Sequence, residues 1–232
     1  RVTTVAQLFS AAQTLASGTR VEGSRLAIVT NGGGPGVMAA DRAADLNVPL
    51  ASLGDDTIAK LNEVLPTHWS HSDPVDILGD ADTTRYQQAC EFVLNDKGVD
   101  ALLVLLTPQA MTDPTACAKG VIAAAEKSSK PVLACWMGER MVAEGRNLLA
   151  AADIPHFRSP EAGVDAFGYL ACYRKNQQAL LQAPAPLSVQ KSPGVEGARL
   201  IIEQALSERR QLLSNTESKA VLRAFNIPTS TS

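Results

Sequence analysis

Six consecutive aliphatic residues, Ala101-Leu102-Leu103-Val104-Leu105-Leu106, place the tightest constraint on what this chain can become. A run apolar on both faces, and too short to span a bilayer, reads as a strand buried inside a parallel sheet. Comparable runs occur at Arg25–Thr30 and Pro131–Trp136, with shorter ones at Val48–Leu53 and Ile154–Phe157. Segments of helical spacing lie between them: Val37–Leu46, Asp55–Leu65, Thr83–Asn95, Pro114–Lys127 and Glu139–Ala152. Thr67–Ala81 reads as irregular. A helix bearing Val5, Leu8, Phe9, Ala12 and Leu15, and stopped by Gly18, precedes the first strand, and a long helix from Pro160 to Gln182 follows the last.

Strands that alternate with helices call for a parallel sheet covered on both faces. Right-handed crossovers then leave few topologies. Five strands in this alternation give the doubly wound, flavodoxin-like α/β order 2-1-3-4-5, with its switch point between the first and third strands. Ligands of such sheets bind beyond the carboxyl ends of the strands at that point. The loops there are Asn31–Gly36 and Thr107–Pro114, so topology and glycine content select the same corner. The domain expected is residues 1–183. Ala183-Pro184-Ala185-Pro186 opens a linker over 184–194. Two amphipathic helices, Gly197–Glu208 and Thr216–Phe225, form a C-terminal helical extension over 195–232. They are too small for a core of their own, and either pack on the main domain or begin a second, truncated one.

Composition removes several classes. Hydrophobic residues make up 45% and charged residues 19%, as in a globular protein. A net charge of -3 and 4% aromatics argue against a basic nucleic-acid face or base-stacking platforms. No apolar stretch reaches membrane-spanning length and no signal peptide opens the chain. Cys90, Cys117, Cys135 and Cys172 are widely spaced, so neither a disulfide framework nor a zinc site is expected, and a reducing cytoplasm is the natural compartment. The first residue is Arg1 rather than a methionine, and the chain reads as a piece of a longer protein.

Thr30-Asn31-Gly32-Gly33-Gly34-Pro35-Gly36 joins a buried strand to a helix. Glycines let another group approach the backbone. A helix start offers unpaired N–H groups and the positive end of a dipole, which together suit a phosphate-type anion. The predicted phosphate-binding residues are Asn31, Gly32, Gly33, Gly34, Gly36 and Val37; a ligand-free tight turn is the plainer alternative. Neither the P-loop nor the dinucleotide pattern fits: no lysine closes the loop, and Val37 stands at the third glycine position. Asp76 ends the irregular loop, either as a carboxylate turned to the cleft or as an Asx turn. Thr107 and Pro108 complete the candidate cleft. His68, His71 and His156 lack metal-ligand partners and read as surface residues. No residue of this chain is assigned as catalytic or as a metal ligand.

The run Leu26–Gly36, with Asp41, Leu65-Pro66 and Asp73-Pro74-Val75-Asp76, resembles the NDP-forming acyl-CoA synthetases, relatives of succinyl-CoA synthetase. Residues 1–183 are similar to their second flavodoxin-like CoA-ligase domain. Residues 195–228, with Ala198–Ile202, Glu217 and Phe225–Pro228, are similar to the lead-in of the ATP-grasp region. The resemblance implies a parent acid–thiol ligase that uses CoA, ATP/ADP or GTP/GDP, magnesium and phosphate. It also implies a histidine that carries the phosphoryl group, held at the helix after Asn31–Gly36. None of His68, His71 or His156 matches that histidine, so the phosphohistidine segment and the ATP-grasp domain are expected as partners outside this chain, a homo-oligomer is open, and the isolated chain is expected to be inactive. Asp73-Pro74 departs from the more usual Asn-Pro, which puts a side-chain amide role there in doubt. Two other parents are compatible: a bacterial protein lysine acetyltransferase with a non-catalytic synthetase-like region, and a free-standing flavodoxin-like binding module.

Overall fold

The computed structural model describes residues 2, 4–182 and 192–230. The chain divides into two compact units, Arg1–Leu181 and Gln182–Ser232. In the first, the elements follow as α1 (Val5–Ala16), β1 (Leu26–Thr30), α2 (Gly33–Asp45), α3 (Asp55–Val64), β2 (Val75–Asp76), α4 (Thr83–Asn95) and β3 (Ala101–Leu106). Then come α5 (Pro114–Ala125), β4 (Val132–Trp136), α6 (Ala143–Ala151), β5 (His156–Phe157) and α7 (Pro160–Leu181). The sheet is parallel throughout, in the order β2-β1-β3-β4-β5. The doubly wound α/β class expected from the alternation is the one observed.

Every residue of β1, β3 and β4 is buried, which explains their unbroken apolar character. Successive side chains go to opposite faces. Ala27, Val29, Leu102, Val104 and Leu106 meet Leu61, Tyr86, Val93 and Val121 on one side. Leu26, Ile28, Leu103 and Leu105 meet Ala39, Ala43, Phe167 and Leu170 on the other. Burying one such leucine contributes about 1.5–3 kcal/mol. Two buried polar rings brace the first layer from within: the Tyr86 hydroxyl donates to the Leu105 carbonyl at 3.0 Å, and the Trp136 indole N–H to the Pro114 carbonyl at 3.0 Å.

The second place in the sheet corrects the sequence reading. Val48–Leu53 is not a strand; only Leu50 forms a bridge, parallel to Leu26. Pro49 has no N–H to extend a ladder, and the chain leaves the sheet for α3. The place beside the carboxyl half of β1 goes to Val75–Asp76, inside the stretch read as irregular, with Val29 opposite Val75 and Thr30 opposite Asp76. Between these pieces the Asp73 carboxylate accepts the N–H of Ile28 at 2.7 Å and of Ala51 at 3.2 Å. One sheet position is thus assembled from a bridge, a side chain and a two-residue strand. Burial pushes the Asp73 carboxyl up to about 7, against the pull of those two donors.

In the second unit, α8 (Val195–Ser207) and α9 (Asn215–Ala224) form a helical pair, with Ala198 and Ala205 buried. A capping box joins Ser214 and Glu217, and Arg210 grips both Glu217 oxygens at 2.8 and 2.9 Å, holding that carboxyl down at about 2. Most of the expected linker, 184–191, lies outside the described residues.

Candidate functional site

Helix α2 begins at Gly33 rather than at Val37, so the glycines are not a loop ahead of the helix but its first turn. Two side chains shape the approach. The Thr30 hydroxyl donates to the Gly32 carbonyl at 2.8 Å and accepts the Gly32 N–H at 3.1 Å. Asn31, 1% exposed, reaches across to β3: its Nδ2 donates to the Thr107 carbonyl at 2.9 Å, and its Oδ1 accepts the Thr107 N–H at 2.8 Å. This reciprocal pair continues the β1–β3 ladder one step past the last strand residues.

The glycines serve different ends. A Cβ at Gly36 would lie 3.0 Å from Thr30 Cγ2, so this position is set by close packing. At Gly34 a Cβ would meet nothing within 4 Å, so the residue faces open space. Gly32 is the N-cap, and no side chain caps the helix. Helix geometry leaves the first-turn N–H groups without an internal acceptor. Pro35 has no N–H, and the Gly36 N–H reaches the Gly32 carbonyl at 3.3 Å. The Val37 N–H falls within the regular helical ladder. The amides of Gly33 and Gly34, both exposed, therefore remain without an acceptor among the described residues. They can hold an anionic oxygen, favoured by about 0.3–1 kcal/mol from the dipole and up to ~2 where partly enclosed. Asn31, by contrast, has spent its side chain on Thr107, and Val37 offers the corner only an exposed apolar side chain.

Asp76 combines both of its sequence readings. One oxygen accepts the Leu78 N–H at 3.0 Å, an Asx turn, while the other lies 3.2 Å from where a Gly33 Cβ would be. A carboxylate therefore stands beside the two amides. Its own N–H donates to Ser70 Oγ at 2.9 Å, which fixes the end of β2. Thr107 donates its hydroxyl to Met137 Sδ at 3.8 Å, and Pro108 is 3.3 Å from a Cβ position at Gly138 (φ +102°). Met137 and Gly138 are not singled out by the sequence, and Thr30 figures there only as the start of the glycine motif. Gly138, directly after an apolar run, carried the one usable signal.

The histidines lie elsewhere. His68 is exposed; the His71 ring bridges Asn62 Oδ1 and the Thr67 carbonyl and leans on Trp69; His156 is in β5. Among the described residues no three His, Cys, Asp or Glu side chains are grouped to hold a metal, and no helix is long and apolar enough to cross a membrane.

A parallel α/β sheet in the order β2-β1-β3-β4-β5, with an uncapped, glycine-built helix start at its switch point, defines a domain of the doubly wound type. Residues 26–181 match the family described as the Ligase-CoA domain, and this chain belongs to that family. It is 36% identical over 203 residues to the ADP-forming acetate–CoA ligase I of Archaeoglobus fulgidus, a match covering 87% of this chain and 28% of that protein. It is 27% identical over 228 residues to the ADP-forming 4-hydroxybutyrate–CoA ligase of Nitrosopumilus maritimus, covering 98% of this chain and 32% of that one. Among solved structures, the acetyl-coenzyme A synthetase 1 of Ca. Korarchaeum cryptofilum, in complex with phosphate and ADP, superposes with a TM-score of 0.73 at 31% identity, over 79% of this chain and 40% of that chain. The chain thus spans about a third of the length of the curated relatives named here.

Proposed function

We propose that this chain is the phosphoryl-holding part of an ADP-forming acyl-CoA synthetase. Its parent interconverts acyl-CoA, phosphate and NDP with the free acid, CoA and NTP. The observation that carries this reading is the uncapped first turn of α2, with the Gly33 and Gly34 amides open beside Asp76, in a chain of the Ligase-CoA family. Two backbone donors suit the oxygens of phosphate or of a phosphorylated imidazole, and need no side chain that itself reacts. A histidine outside residues 1–232 brings the phosphoryl group, and the ring N–H opposite the phosphoryl is the kind of donor that Asp76 can accept. CoA and the nucleotide bind to other parts of the parent, residues 195–232 lead into its nucleotide-binding region, and the compartment is the cytoplasm.

Titrating inorganic phosphate into the chain and following backbone amides by NMR tests this. The Gly33 and Gly34 signals are expected to move saturably, and a folded Gly34→Val variant to lose the response. Unmoved signals, or an unchanged response in that variant, would overturn the assignment.

A further inference from the structure

A cavity of about 620 Å³ lies at the opposite end of α2 from the glycine turn. The helix has 13 residues, so its two ends are roughly 20 Å apart. The volume falls within the range of small-molecule sites. Its floor is apolar, built from Leu46, Val48, Pro49 and Ala171. Gly168 keeps that floor open: a Cβ there would touch Leu46 at 3.6 Å and Val48 at 3.9 Å, and any longer side chain would enter the space.

The wall carries charge. Arg42 is fixed through its Nε to Asp165 at 2.7 Å, neutralising that carboxylate, and its Nη1 lies 4.0 Å from Asp45. Arg174 and Lys175 also line the cavity, and neither has a carboxylate within 4.0 Å among the described residues. Glu22 is the other acidic lining residue. With Asp165 offset by Arg42, two cations face one carboxylate. The carbonyls of Ala43 and Ala44 at the end of α2 are taken by the Val48 and Asn47 N–H groups, at 2.8 and 3.0 Å, and do not offset this excess.

We propose that this cavity is a second ligand site, for a small organic anion whose acidic group meets Arg174 and Lys175 while its apolar body covers the Leu46–Val48–Gly168 floor. Cys172 lines the same cavity and is exposed, whereas Cys90, Cys117 and Cys135 are buried, so alkylation of Cys172 reports occupancy. The probe is anilinonaphthalene sulfonate, an apolar body with one fixed negative charge.

At ten times its dissociation constant the probe is expected to slow iodoacetamide labelling of Cys172 about tenfold. The uncharged naphthol is expected to protect much less, and inorganic phosphate, which has no apolar body, not at all. Gly168→Phe fills the floor and is expected to abolish protection. The exposed pair Arg174→Glu with Lys175→Glu weakens it, and carries the test if Gly168→Phe does not fold. Labelling of the buried cysteines identifies any unfolded sample. Absent protection, equal protection by naphthol, or full protection in a folded Gly168→Phe variant overturns the proposal. Phosphate binding at Gly33 and Gly34 is unaffected by any of these outcomes.

Discussion

Helices α2 and α5 each follow a central strand of the sheet, and their first turns are built in opposite ways. At α5 the Asp113 carboxylate accepts the N–H groups of Thr115 and Ala116, at 2.9 and 3.1 Å, and Pro114 fills the first helical position. At α2 the cap is a glycine with no side chain, and the turn is held from outside by Thr30 and Asn31. The capped start is closed within itself. The bare start forgoes a few tenths of a kcal/mol of capping, since its cap is Gly32, and keeps its donors for something else. A helix N-terminus is open to a ligand only where no side chain of the protein has taken it.

The most direct test of this contrast is Asn31→Leu, which removes the outside clamp and strands two partly buried backbone groups of Thr107. Unfolding by urea should show a loss of about 2–4 kcal/mol; a loss below about 1 kcal/mol would mean the turn stands without the clamp. Next comes Asp73, a carboxylate spent on backbone N–H groups like Asp113 but enclosed. Its carboxyl is raised to about 7 when folded, above its unfolded value, so its contribution is fully present below about pH 4 and declines as pH rises through 7. At about 1.4 kcal/mol per unit, wild type should lose on the order of 4 kcal/mol between pH 4 and pH 8 relative to Asp73→Asn. A difference between the two that is flat with pH would show that the two donors cancel the effect of burial.

Asp113→Ala should cost about 1 kcal/mol while leaving the phosphate response of Gly33 and Gly34 intact. A changed response would mean the two helix starts are not independent. Smallest in stability is Gly34→Val, expected within about 1 kcal/mol of wild type, because the position is open and Val and Gly differ little in helix propensity. Its melting curve should barely move while its phosphate response disappears, the reverse of Asp113→Ala.

Much of this was legible in the sequence. Runs such as Ala101–Leu106 announce themselves because burial on both faces removes polar residues altogether. From the strand and helix alternation, the order of the sheet and the corner at Asn31–Gly36 followed. What was hidden depended on contacts distant in sequence. Val48–Leu53 looks like a strand by composition, and it is Pro49 together with the carboxylate of Asp73, over twenty residues later, that shows why it stops after one bridge. Val75–Asp76 is too short to have a period. Asn31 reads as a ligand residue by its company of glycines, yet its side chain is buried against Thr107, 76 residues away. The start of α2 lies four residues ahead of Val37 because glycine's poor helix propensity hides it in the sequence, and packing of Gly36 on Thr30 overrides that propensity.

The three long strands, LAIVT, ALLVLL and VLACW, would be sticky if another chain could reach them. They are flanked on one side by Val75–Asp76, preceded by Pro74, and on the other by His156–Phe157, preceded by Pro155. Each outer strand is two residues long, and a neighbouring molecule seeking to extend the sheet finds no continuous row of donors and acceptors to copy. The improvised second position, awkward as sheet architecture, thus serves as a guard against aggregation at concentrations where a tidier strand would invite fibrils.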